Sequence, residues 1–412
     1  MKTAIFFALF AFAALLACDD NVTTPPSPGG PITVTNPDDG AVLHDSPVIR
    51  ADAGSGFSFT LVEFDIDGDS VTSDSTFPYE YRWNIFNYQS GSAHTIVALG
   101  HTIDTVYVSD TVNVTVQFQS GLTLAGSYSP GVQNAVGVVN YQNALFVSLG
   151  DAGLELLNVA SRISPEFVSR YNTSGQALHA DVQFPYVFVA DRDQGVVRLD
   201  ISDPDSMVLT GSYDSQGLAN DVAASGQYLF VADNDALVIL RISNPNSLIF
   251  ISRSSFTPDL LNYIVARNDT AFIVGNTGFY IIDCSNTAAP EVVSVYNANI
   301  NLANAVAVTD TFVFIANGAE GVMALSIFDP TSPRFLGSFS SGQIMTAVDV
   351  GDSALFAGSN SGIVYALDYS VEGSISEIDQ LNIVDQVQEI DYQDNYAYVA
   401  ANLNVYLIRF AR

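Results

Sequence analysis

ANDVAASGQYLFVADNDALVILRISNPNSLIFISRS, residues 219–254, decides the fold. Four short runs rich in Val, Ile, Leu, Phe and Tyr alternate with Gly, Asp, Asn, Ser and Pro. Apolar runs of four to eight residues bounded by turn formers read as strands. Outside the N-terminus no 3.6-residue apolar period is sustained over a helix length.

The same unit recurs on both sides of this stretch. Its second strand returns as ALFVSLG (144–150), YVFVADR (186–192), AFIVGN (271–276), FVFIANG (312–318), ALFAGSN (354–360) and YAYVAAN (396–402). Its third returns as GLELLNVA (153–160), GVVRLDIS (195–202), GFYIIDCS (278–285), GVMALSIF (321–328) and GIVYALDY (362–369), usually opened by Gly where a tight turn needs φ > 0. An apolar column early in each unit reads Val138, Val182, Val222, Ile264, Val306, Val348 and Ile390, a spacing of about 42 residues. Seven four-stranded units predict an all-β chain with a seven-bladed β-propeller over residues 122–412. The last unit ends after its third strand, whereas LTLAGSYS (122–129) is an extra strand of the fourth type ahead of the first unit. That strand is expected to complete the last blade and close the ring.

GVVRLDISDP (195–204), ALVILRISNP (236–245) and GFYIIDCSN (278–286) resemble the LVIVD-repeat family of bacterial β-propeller proteins. The resemblance implies a secreted or surface protein and brings no catalytic residues with it. Residues 32–118 lie outside the repeat and read as about seven short alternating strands, the pattern of a small Ig-like β-sandwich. NPDDGAVL (36–43), LVEFDIDGDSV (61–71), FPYEYRW (77–83) and GSAHTIVALG (91–100) resemble bacterial Ig-like surface domains. Trp83, the only tryptophan, is expected in that core.

The N-terminus sets the expected compartment. Lys2 and the apolar run to Ala17 are too short for a membrane span and read as a signal peptide, residues 1–17. Leu15-Leu16-Ala17-Cys18 resembles the bacterial lipobox, which implies lipidation of Cys18 and attachment to a membrane. Residues 18–31, including TTPPSPGG, form a Pro/Gly-rich tether. The expected location is the bacterial cell envelope.

Asp and Glu total 44 against 13 Lys and Arg, a formal net charge of −31. A basic nucleic-acid footprint is absent. Cys284, in the third strand of its unit, is expected to be a small buried apolar residue. Asp65-Ile66-Asp67-Gly68-Asp69 begins like a calcium loop. Its Gly is fourth rather than sixth, however, and Thr76 stands where a twelfth-position Glu is required, so Asp67-Gly68 reads as a hairpin turn. His44, His94 and His101 have no metal-ligand spacing.

The first strand of each blade should line the central channel. These strands carry His179, Asp181, Asn220, Asp221, Asn262, Asn304, Gln388 and Glu389, the candidate ligand residues. The same ring also reads as a hydrated channel of satisfied polar groups. Haem, Walker and GxSxG motifs are missing. Two functions follow as expectations. The first is a lipid-anchored, non-catalytic binding or scaffolding platform, without a cofactor, whose partner is an envelope protein or glycan. The alternative is a cation-dependent hydrolase or lactonase using Asp181, Asp221 and Glu389, with a divalent cation such as calcium.

Overall fold

The computed structural model describes residues 31–412, except 45–46, 84, 86–87, 89, 118–119, 204, 245–246, 256–258, 352, 372 and 412. The signal peptide, Cys18 and all but the last residue of the tether lie outside the described residues. The chain divides into two compact units, Met1–Phe118 and Gln119–Arg412.

In the first unit, one sheet orders Ile32–Asn36, Val48–Ala53 and Tyr79–Arg82 side by side. The other is built around Leu61–Ile66 and Ala93–His101. Both central strands bury every second residue, as expected where one face is a core and the other is wet. Among the described residues of this unit nine strands form rather than about seven. The two that the apolar pattern misses are the three-residue Ala41–Leu43 and the polar, largely exposed Asp69–Asp74. Asp67 and Gly68 form the predicted hairpin turn with φ of 56° and 89°. Trp83 is buried, edge-on to Tyr88 and His94.

The second unit is a ring of seven antiparallel four-stranded sheets. Blades 1 to 7 begin with the inner strands Gly137–Tyr141, Ala180–Gln183, Ala219–Ser225, Leu261–Arg267, Ala305–Val308, Met345–Val350 and Val387–Gln393. The second and third strands of the blades are buried along most of their length and mainly apolar, with buried charged exceptions such as Glu155, Arg198 and Arg409, because neighbouring blades cover both faces. Between blades 6 and 7, for example, Phe356 stacks on Tyr392 at 4.0 Å and meets Phe410 edge-on at 5.2 Å. Fully burying one such ring contributes about 1.5–3 kcal/mol.

Strand Gly121–Tyr128 pairs antiparallel with Asn404–Ala411 and is the fourth strand of blade 7. The ring is therefore closed by joining the start of the second unit to its end. Each third-to-fourth strand pairing carries a register shift at the same place, such as Leu156/Leu157 and Leu325 with Ala324, which bends the outer strand. Gly153 and Gly321 open third strands at φ of 80° and 93°, and a Cβ there would meet the carbonyl oxygens of Tyr171 and Phe339 at 2.2 and 2.1 Å. Cys284 is buried, and burial pushes its thiol up to about 12, far from a reactive thiolate.

Candidate functional site

The channel is built by two rows of clasps between neighbouring inner strands. In four blades the inner strand carries a register shift that leaves one residue unpaired: Asn220, Asn262, Thr346 and Gln388. A bulge re-aims the side chain at that position. Asn220, Asn262 and Asn304 each donate an amide hydrogen to a carbonyl of the next blade, those of Leu261, Ala303 and Met345, at 2.7, 2.7 and 2.9 Å. The Thr346 hydroxyl does the same to Val387 at 2.8 Å.

The second row runs in the opposite sense, from carboxylates that accept backbone N–H groups of the next blade. Asp181 accepts from Ala224 at 2.7 Å, Asp221 from Ile264 at 2.8 Å, Asp349 from Tyr392 at 2.7 Å and Glu389 from Val138 at 2.6 Å. Asp391 accepts from Asn140. The other oxygens of Asp181, Asp221 and Asp349 accept from the residue that follows each in its own strand. Glu389 and Asp391 thus tie blade 7 to blade 1 on the inside.

Glu389 is also the hub of a contact across the channel. Its Oε1 lies 3.0 Å from His179 Nδ1 of blade 2 and accepts from the Tyr263 hydroxyl of blade 4 at 2.9 Å. The two rings meet edge-on at 5.4 Å. Tyr263 and Glu389 are shared by two cavities. One, of about 270 Å³, is lined by Asp181, Asp221, Arg267, Asp349 and Asp391. The other, of about 460 Å³, is lined by His179, Asn220, Asn262, Asn304, Thr346 and Gln388.

Depth in the channel governs the charges. Burial, with the nearby Glu389 charge, pushes Asp181 up to about 6. Burial pushes Asp221 to about 7, with His179 opposing and Glu389 adding. Asp349 and Asp391 are raised by burial and, for Asp391, by the charge of Asp349. For His179 burial works downward. The charge and hydrogen bond of Glu389, helped by Asp221, win and place it at about 9.

All of these native values lie above the unfolded ones, so the native state holds more protons. Asp181, Asp221 and Asp349 contribute stability that is complete below pH about 4 and lost as pH rises through 6 to 7. His179 contributes below pH about 6.5 and loses its part as pH passes 9. Surface carboxylates with lowered values, such as Asp200 and Asp283, contribute stability that is complete above pH about 4 and is lost only as pH falls below it. Calorimetry should therefore find the propeller transition several degrees higher at pH 5.5 than at pH 8.5. Asp221→Asn should flatten the difference; an unchanged slope would contradict the assignment.

Of the sequence-predicted residues, His179, Asn220, Asn262, Asn304, Gln388 and Glu389 line the larger cavity and Asp181, Asp221 and Glu389 the smaller, while Cys18 lies outside the described residues. The sequence reading missed Asp349, Asp391 and Tyr263. Asp349 and Asp391 follow the apolar column at Val348 and Ile390, where the other repeats have Val139, Gln183, Ala223, Val265 and Ala307. Two acids at a position that is otherwise apolar except for Gln183 were the available signal. The histidines of the first unit take local partners: His94 pairs with Asp67 at 2.6 Å and His101 with Glu63 at 3.2 Å. His44 Nδ1 lies 2.6 Å from the Gln117 carbonyl.

Comparison with known proteins agrees with this architecture. Residues 31–98 match a bacterial Ig domain. Residues 174–215, 216–255, 264–298 and 302–341 match the LVIVD repeat, one match on each of blades 2 to 5. No curated protein matches the chain in sequence. Among solved structures, the WD40 β-propeller domain of Doa1 aligns with a TM-score of 0.59 at 9% identity, over 71% of this chain and 98% of that one. The Neurospora crassa Pan2 WD40 domain gives 0.56 at 10% identity, over 71% and 96%. BamB from Moraxella catarrhalis gives 0.51 at 14% identity, over 71% and 98%. These likenesses establish the propeller fold and nothing finer. The chain carries LVIVD repeats behind an N-terminal Ig-like domain.

Proposed function

We propose that this protein is a non-catalytic binding and scaffolding platform of the bacterial cell envelope. Lipid on Cys18 holds it to a membrane, the Ig-like domain is a spacer, and the propeller engages an envelope protein or glycan without a cofactor. The observation that supports this reading is the use of the channel carboxylates. Asp181, Asp221, Asp349, Glu389 and Asp391 each spend one oxygen on a backbone N–H group of the next blade. Acids used this way hold a scaffold together and are poor general bases, because each proton they accept competes with a clasp.

The cation-dependent hydrolase is the alternative. A cation would have to pull these carboxylates off the backbone, leaving buried N–H groups unpaired at about 1–3 kcal/mol each. Among the described residues no group of three or more His, Cys, Asp or Glu is arranged to hold a metal. Calcium at about 5 mM should move the propeller melting midpoint by less than about 1 °C. A saturable rise of several degrees would favour the hydrolase instead.

The platform reading is tested in cells. Lys2 is the only lysine, so amine-reactive crosslinkers are blind to the folded units. Photoactivatable leucine incorporated throughout the full chain avoids this limit. A reproducible envelope partner should be recovered with the native chain and lost with Cys18→Ala. Recovery of bulk envelope protein alone, equal in both, would count against the reading.

A further inference from the structure

Resting on the platform reading, we infer that the amide-lined mouth of the channel docks a basic polypeptide segment, with an Arg or Lys side chain in the pit and apolar neighbours on its rim.

Three concentric features carry this inference. The first is the pit. Asn220, Asn262 and Asn304 commit their amide nitrogens to the next blade. Among the described residues nothing donates to their Oδ1 atoms, which leaves three acceptors around a cavity of about 460 Å³. His179 and Glu389 also line it and form an ion pair, so the cavity presents no uncompensated positive charge of its own. A ring of acceptors without net positive charge suits a guanidinium or ammonium group, which only donates.

The second feature is the collar. Leu260, Leu302 and Ile344 recur at the repeat spacing on the connections between blades, Val384 lies on the next connection and Leu403 on the turn between the second and third strands of blade 7; all five are exposed. Two of them are held in backbone conformations that oppose their side chains. Leu302 has φ of 57° and is 57% exposed, and Val384 has φ of 66° and is 87% exposed. A β-branched residue in the left-handed region is a true outlier, and strain of this kind clusters where something is bound. Neither position gains stability from an apolar side chain in water.

The third feature is the outer ring. The turns between second and third strands carry the exposed acids Asp151, Asp193 and Glu320, with Asp235 paired to Arg253, against the single cation Arg192 among the described residues of these turns. The chain as a whole is at −31. Such a face attracts a basic segment and repels a second copy of this chain. The collar is aliphatic, without the exposed aromatic face on which a sugar ring would stack.

The test is a displayed library of random dodecapeptides panned against the full chain at about 0.15 M salt, where charges farther apart than about 8 Å are screened. Enriched sequences should hold an Arg or Lys flanked by Leu, Ile, Val or Phe. Val384→Asn and Leu302→Asn should weaken the selected peptides at least tenfold, while the melting midpoint stays level or rises, since Asn tolerates the left-handed region. Phe328→Ser, outside the collar and pit, should leave binding unchanged. No enrichment, acidic or uncharged winners, or indifference to the collar substitutions would each overturn the inference. Equal competition by spermidine would assign a small polyamine and overturn it too. If photo-leucine contacts map to a partner on another face, the platform reading survives and this inference alone fails.

Discussion

Glu389→Ala should destabilise the propeller more than any other single substitution in the channel. One carboxylate closes blade 7 onto blade 1 through the Val138 N–H, pairs with His179 of blade 2 and accepts from Tyr263 of blade 4. Its removal leaves a half-buried imidazolium, a half-buried phenol and the buried Val138 N–H without their acceptor. Breaking a buried pair from one side costs about 3–5 kcal/mol. Because the channel holds two cavities that admit water, the lower end applies, and the melting midpoint should fall by roughly 10 °C. Glu389→Gln keeps an acceptor but loses the charge, so its penalty should be smaller and concentrated below pH 9, where His179 carries its proton. His179→Ala should cost less in the Glu389→Ala background than in the native chain, because the two share one interaction. Chemical denaturation of the four proteins at pH 7 measures this. Additive penalties would mean that the cross-channel contact is not energetically coupled.

The same contact marks the limit of what the sequence discloses. Strand order, blade number and the Asp67-Gly68 turn were legible because each depends on local pattern: apolar runs, punctuation and the 42-residue column. Burial on both faces of a blade forces runs such as Leu229 to Ala232 and Leu237 to Leu240 to be apolar throughout, a strong signal. The channel was legible only as a list of polar residues on inner strands. Simple alternation would send Asn220 and Asp221 to opposite faces, yet the register shift between Ala219 and Asp221 turns both to neighbouring-blade clasps. Nothing local announces that shift. His179, Tyr263 and Glu389 meet because a seven-fold ring brings blades 2, 4 and 7 to one axis. The collar was invisible for a different reason: Leu302 and Val384 look like ordinary loop residues until their φ angles and exposure are known.

Replacing residues 121–128 by a Gly/Ser segment of equal length should open the ring and abolish a single sharp unfolding transition. Gly121–Tyr128 supplies a whole ladder to Asn404–Ala411, buries Leu122 and donates the Leu122 N–H to Asp379 of blade 6 at 2.6 Å. Without it the third strand of blade 7 becomes a bare edge with unpaired N–H and C=O groups, a template for other chains. Blades 1 and 7 would then be held together mainly by the inner clasps from Glu389 and Asp391. The expected readout is self-association in light scattering and a broadened transition at least 10 °C lower, the scale of several kcal/mol in a domain of this size. A synthetic peptide spanning residues 120–130 should restore a monomer and part of the midpoint by adding its strand back. Rescue by this peptide, and not by one of scrambled order, separates lost closure from general misfolding. A monomer that melts unchanged without the segment would show that the inner clasps alone close the propeller, and would move the main energetic seam from the outer ladder to the channel.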